Sequence, residues 1–270
     1  MQLIDNQLLT NTQSQSALAF TTTGGATWPE WERFISLGDE QLFHIGNICG
    51  TCEFFFRRMI DRPISSFALE QIRRQLEHGL RCIDETAMTS REIIPNGNYV
   101  VALFTAQPRL VGTDQVPDYF SHEQRLAWRG YEDVASTPST GYFRGESRPL
   151  KDREMLFEFF VPLYDLSLLN EQRVAQYKRV LLSGMQPTAV SLSVLDVKSS
   201  MSFPENGQGE EVEPAFRTHW CFANYLLDGH HKVYASQATG RPITMLSFIS
   251  LDHSWKLVDE LIAAYEKDRW

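Results

Sequence analysis

The most constraining feature of this chain is its C-terminal half, where the hydrophobic period switches repeatedly between two and about 3.6. Residues 156–165 form an apolar run containing Phe157, Phe159 and Phe160, which reads as a strand. Pro162, which has no N–H to donate, places that strand at an edge or a bulge. Asn170 is a good cap for a helix with Val174, Tyr177 and Leu181 on one face; Gly184 and Pro187 mark its end. Residues 188–197 alternate polar and apolar, the pattern of a half-buried strand. A strand over 219–227 runs straight into Asp228-Gly229-His230-His231-Lys232, a short helix stops at Gly240, and residues 243–249 read as a buried strand. A last helix, starting near Asp252 or Ser254, would bury Trp255, Val258, Leu261, Ile262 and Tyr265. Strands alternating with helices in this way confine the half to α/β (α+β) architecture.

Composition narrows the rest. The chain has 270 residues, enough for one large domain or two modest ones, and 43% hydrophobic with 22% charged residues is ordinary for a globular protein. Intrinsic disorder, fibrous architecture and a disulfide-held mini-protein are excluded on those grounds. No apolar stretch approaches the ~18 residues of a membrane span, which predicts no membrane association. Residues 17–20 are apolar but no Lys or Arg precedes them, unlike a secretory signal, so a cytoplasmic protein is predicted. The net charge of -9 comes without a basic patch, which argues against nucleic acid as a partner. The cysteines Cys49, Cys52, Cys82 and Cys221 do not read as a disulfide framework in a chain this long.

A shift from Ser136-Thr137-Pro138 to the charged residues 144–154 suggests a boundary, with an unclassified N-terminal α+β region over 1–150 and a second unit over 151–270. In the first region Leu69, Ile72, Leu76, Leu80 and Ile83 predict a helix capped by Ser65 or Ser66, and residues 98–106 predict a strand. Phe54-Phe55-Phe56-Arg57-Arg58 reads as a buried run with a charged solvent edge. Cys49-x-x-Cys52 with His78 and Cys82 has the donor types of a structural zinc site, but a single CxxC is a weak signal and the plainer alternative is that Cys49 and Cys82 are small buried hydrophobes. The acidic residues 199–216 read as a lid or a loop.

Chemistry concentrates at Asp228–Lys232. A glycine between strand and helix permits a tight turn, and the first helical amides beyond it are unsatisfied donors at the positive end of the helix dipole. Two imidazoles and an ammonium at that end oppose the dipole unless they meet an anion, and a phosphate suits them. The plainer alternative is that Asp228 caps the helix and the histidines are structural.

The order strand, helix ending at Gly184, Gln186-Pro187-Thr188 strand, then strand–Asp228-Gly229-His230-His231-Lys232–helix–Gly240-Arg241-Pro242-Ile243 strand resembles the ParB/sulfiredoxin superfamily. His230 stands where sulfiredoxins carry a catalytic cysteine, and little chain follows for the helix-turn-helix of partitioning proteins. The motif is most similar to that of the free-serine kinases on this fold, with Lys232 in place of their arginine. The resemblance implies ATP or ADP with Mg²⁺ as cofactors, Gly229, His230, His231 and Lys232 as phosphate-binding residues, and Asp228 as a metal ligand or orienter of the acceptor. It also implies a proton-accepting carboxylate in the turn after the first strand, where the sequence offers Glu171 and Asp165. The expected function is a phosphotransferase acting on a small hydroxyl-bearing substrate. The alternative is a nucleotide-sensing protein whose region 1–150 supplies a protein-binding surface.

Overall fold

A computed structural model of the chain describes residues 1–12, 14–24, 31–48, 54–60, 62, 72–83, 89–111, 141–151, 153–199, 218–255 and 257–267. The first part supplies β1 (Gln2–Asn11), β2 (Leu18–Thr23), β3 (Glu32–Leu37), β4 (Glu40–Asn47), β5 (Arg57–Arg58), α1 (Arg73–His78), β6 (Gly97–Ala106) and β7 (Arg109–Val111). The remainder supplies β8 (Tyr142–Arg144), β9 (Arg148–Pro149), β10 (Glu154–Val161), α2 (Glu171–Leu182), β11 (Thr188–Ser199), β12 (Thr218–Asp228), α3 (His230–Thr239), β13 (Ile243–Ser250) and α4 (Val258–Lys267).

The fold is mixed α/β. A nine-stranded mixed sheet runs β1-β6-β13-β11-β12-β10-β8-β7, with β9 also paired to β10. A second, antiparallel sheet holds β2-β3-β4-β5. The large sheet crosses residue 150, because β6 pairs antiparallel with β13 from Ile243↔Ala106 to Ser250↔Tyr99. Its central strands are covered on both sides, as their near-continuous apolar sequences require. One face, with Phe104, Phe222, Leu226 and Met245, packs under α2, α3 and α4. The other, with Tyr99, Phe159, Leu192 and Tyr225, packs under Ile35, Phe43 and Phe56 of the smaller sheet region and Leu76 of α1.

Several sequence expectations are corrected. β11 is not half-buried: Ser191 and Ser193 are fully covered. Asn224 of β12 accepts from Ser193 Oγ at 2.9 Å and from Ser247 Oγ of β13 at 2.8 Å. Alternating serines therefore mark an internal hydrogen-bond network and not a solvent face. β10 is an inner strand, paired parallel to β12 and antiparallel to β8 and β9; Pro162 lies just past its end. The first helix ends at Gly79, where φ is +90°, so Leu80 and Ile83 lie beyond it. The last helix begins at Val258, leaving Trp255 on the preceding turn and 46% exposed. Arg58 is buried, not at a solvent edge. No helix among the described residues is long and apolar enough to cross a membrane.

Candidate functional site

β12 ends at Asp228, Gly229 turns the chain with φ +97°, and α3 begins at His230 with no side-chain cap. The turn needs glycine. A Cβ at residue 229 would lie 2.5 Å from Ala189 Cβ and 2.8 Å from Ala189 Cα, closer than any side chain tolerates. The first internal bond of α3 is Val233 N–H to Gly229 O, so the amides of the first turn point along the axis without intrahelical partners.

The side chains of the motif turn inward. Lys232 is buried, and its Nζ donates to the Thr188 carbonyl at 2.7 Å and to Asp228 Oδ2 at 2.8 Å. The same ammonium lies 5.9 Å from the centre of the Tyr177 ring. Burial, the largest single influence, works against a charged Asp228, but the Lys232 ammonium and the Gly229 amide act together to hold the carboxyl below its usual range.

Both histidines clasp one loop, residues 162–170 between β10 and α2. His230 Nε2 accepts from the Leu163 amide at 2.9 Å, and its ring stacks on Tyr164 with centroids 4.3 Å apart. His231 Nε2 accepts from the Asn170 amide at 3.0 Å. An amide only donates, so each Nε2 presents its lone pair and the ring proton sits on Nδ1. Burial pushes His230 down to about 3. Burial, with Arg173 nearby, pushes His231 down to about 4. Both rings are neutral at physiological pH.

The two carboxylates of the turn have different surroundings. Asp165 caps the 3-10 turn Leu166–Leu168, accepting from Ser167 N–H at 2.9 Å, and pairs with Arg58 Nη2 at 3.2 Å. Glu171 opens α2 and is exposed. It lines an open cleft of about 390 Å³ whose walls include Leu166, Leu169 and Val174, with Lys178 and the Tyr234 phenol as further polar groups. Tyr234 belongs to α3, so the cleft adjoins the helix that carries the motif. Glu171 is joined to the motif through Asn170, whose side chain caps α2 by accepting from Arg173 N–H at 3.0 Å while its amide holds His231.

Asp228, Gly229, His230, His231 and Lys232 thus form one compact junction, and Glu171 stands across the loop from it. Sequence reasoning passed over Tyr164, Thr188, Lys178 and Tyr234, and took Arg58 for a surface residue. An arginine at strand spacing behind three phenylalanines was the available sign that Arg58 is buried.

The zinc expectation rests partly on Cys49 and Cys52, which lie outside the described residues. His78 Nδ1 is 2.7 Å from the Arg74 carbonyl, and Cys82 is exposed. Among the described residues no three His, Cys, Asp or Glu side chains gather in a way that could hold a metal ion. Comparison of this chain with protein-family models, with curated proteins and with solved structures finds no match.

Proposed function

We propose that this chain is a small-molecule phosphotransferase on a ParB/sulfiredoxin-like scaffold, taking ATP or ADP at the α3 amino terminus and a hydroxyl-bearing acceptor in the adjoining cleft. One observation carries the reading. Glu171, the carboxylate expected to accept the acceptor's proton, lines a cleft whose wall also includes Tyr234 of the motif-bearing helix. Its lining mixes the apolar Leu166, Leu169 and Val174 with a carboxylate, an amine and a tyrosine, a set of convergent polar groups that suits a small polar ligand.

In this reading the phosphates meet the backbone amides of the first turn of α3, with the Nδ1–H of His231 as a further donor. The Lys232 and His230 side chains hold the turn in shape. The acceptor oxygen attacks the terminal phosphorus, the bridging P–O bond breaks, and the acceptor's proton passes to Glu171. Arg173 and Lys178 of α2 are the cations at hand for the developing charge. Mg²⁺ fits the donor set poorly, since Asp228 is already paired with Lys232 and bonded by the Gly229 amide. No step is routed through a metal.

A second reading has its own support. Because Asp228, His230 and Lys232 are committed to internal bonds, the same junction suits a protein that binds a nucleotide without turning it over. Calorimetric titration with ATP, ADP, AMP and CTP, with and without Mg²⁺, tests both readings. Saturable binding that weakens at least about tenfold in His231→Ala is expected. Nucleotide consumption that requires a hydroxyl acceptor and stops in Glu171→Gln, with binding retained, is the phosphotransferase outcome. Binding without turnover leaves the sensor, and absence of binding sinks both.

A further inference from the structure

The candidate site is held from outside as well as from within. Residues 162–170 have three tie-points: Leu163 to His230, Asn170 to His231, and Asp165 to Arg58. The first two come from the motif. The third comes from β5 of the smaller sheet, where the Arg58 side chain is 1% exposed and Asp165 is 32% exposed. A guanidinium so buried needs its carboxylate partner, so this tie is made only with the smaller sheet in place.

A second connection enters on the other side of the motif. A Cβ at Gly79, just past α1, would lie 2.0 Å from the Gln186 carbonyl oxygen, so the two backbones touch. The next amide, Leu80 N–H, donates to Thr188 Oγ1 at 2.8 Å, and the Thr188 carbonyl is one of the two groups that hold Lys232 Nζ. The path from α1 to Asp228 is therefore Leu80, Thr188, Lys232, Asp228, each joined to the next by a hydrogen bond.

We propose that β5 and α1 act as an in-cis control element of the candidate site. Arg58 fixes the β10–α2 loop that carries Glu171 at its end, and Leu80 fixes the backbone on which the Lys232–Asp228 pair rests. Arg58, Asp165 and Thr188 are positioning residues. Loosening either connection lowers ligand affinity without removing any group that touches ligand. The control of affinity rests on the binding reading above; the clasp itself does not.

Amide hydrogen exchange in the full chain tests the clasp without any ligand. In Asp165→Asn, whose amide oxygen still accepts from Ser167, protection at Leu163, Ser167 and Asn170 is expected to fall about tenfold or more, the worth of one charge-assisted bond in the opening equilibrium. The bond is lost from the native state alone, so protection of the β13 amides and global stability fall by no more than the same factor, and the loop amides are the ones that report it at their own, lower opening energy. Arg58→Met gives the same loop signature, the double variant adds little to either single one, and Arg58→Lys restores part of the protection. Thr188→Val, which keeps the shape and removes the acceptor, exposes the Leu80 amide. Titration of the same variants with ATP and ADP then reads the affinity. Unchanged loop protection in Asp165→Asn overturns the clasp. A lost clasp with unchanged nucleotide affinity overturns the control role. Lost protection in a chain whose unmodified form binds neither nucleotide keeps the clasp and removes the phosphotransferase reading instead.

Discussion

At the scale of single residues, the two glycines bounding α3 do different work. Both have positive φ, +97° at Gly229 and +63° at Gly240, but a Cβ at Gly240 would meet nothing within 4 Å. Gly240→Ala is therefore expected to cost only the left-handed backbone penalty, about 1 kcal/mol. Gly229→Ala adds a collision with Ala189 and is expected to cost about 2–4 kcal/mol. Urea denaturation of the two variants side by side measures the difference; equal losses would mean that Ala189 yields easily. The need for a glycine at residue 229 is legible in the sequence. What crowds it is not, because Ala189 lies on β11 and is brought there by long-range pairing.

At the scale of elements, α2 carries Glu171 and depends on Asn170 for its start. Asn170→Ala removes the acceptor for Arg173 N–H and is expected to cost about 1 kcal/mol, read from thermal or urea unfolding. The Asn170 amide would still reach His231, so loop exchange should change less than stability does. The cap, the stripe Val174, Tyr177 and Leu181, and the stop at Gly184 were all readable from local chemistry. The strand–turn–helix junction at Asp228–His230 was readable for the same reason. The direction in which the motif's side chains point was not. Phosphate-facing and loop-facing histidines look alike in sequence, and only the placement of Leu163 and Asn170 distinguishes them. β11 failed differently: its serines keep the period of an exposed strand while bonding to Asn224, a partner on β12 that no local window contains.

At the scale of the whole molecule, the histidines link the site to stability. His230 and His231 titrate at about 3 and 4 in the folded chain, against 6.5 as the ordinary value. His44, buried between Phe34 and Phe55, is likewise pushed to about 4, by burial first and then by Arg57 and Arg33. The groups facing the motif histidines are Asp228 at the end of β12, Lys232 on α3 and Arg173 on α2. Below pH 6.5 the unfolded chain takes up protons that the folded chain refuses. Stability is thus fully present above 6.5 and falls as the pH drops towards 4. A fully sequestered histidine contributes about 1.4 kcal/mol per pH unit over that window, and the half-exposed His231 contributes less. Urea midpoints measured from pH 7 to 4.5 are expected to fall less steeply in His231→Gln, whose amide oxygen can accept from Asn170 without titrating. Identical slopes would remove His231 from the account.

The pairing of β6 with β13 also sets a schedule for synthesis. β6 is an apolar strand with covered neighbours on both edges in the finished sheet, and one of those neighbours, Ile243–Ser250, leaves the ribosome long after it. Until then β6 presents a bare edge rich in valine, leucine and phenylalanine, the kind of template on which chains associate wrongly. Contacts so distant along the chain also form slowly. The protein's vulnerability during production therefore lies in the interval between these two strands, and a chaperone that shields Gly97–Ala106 in the nascent chain would act where the fold is longest exposed.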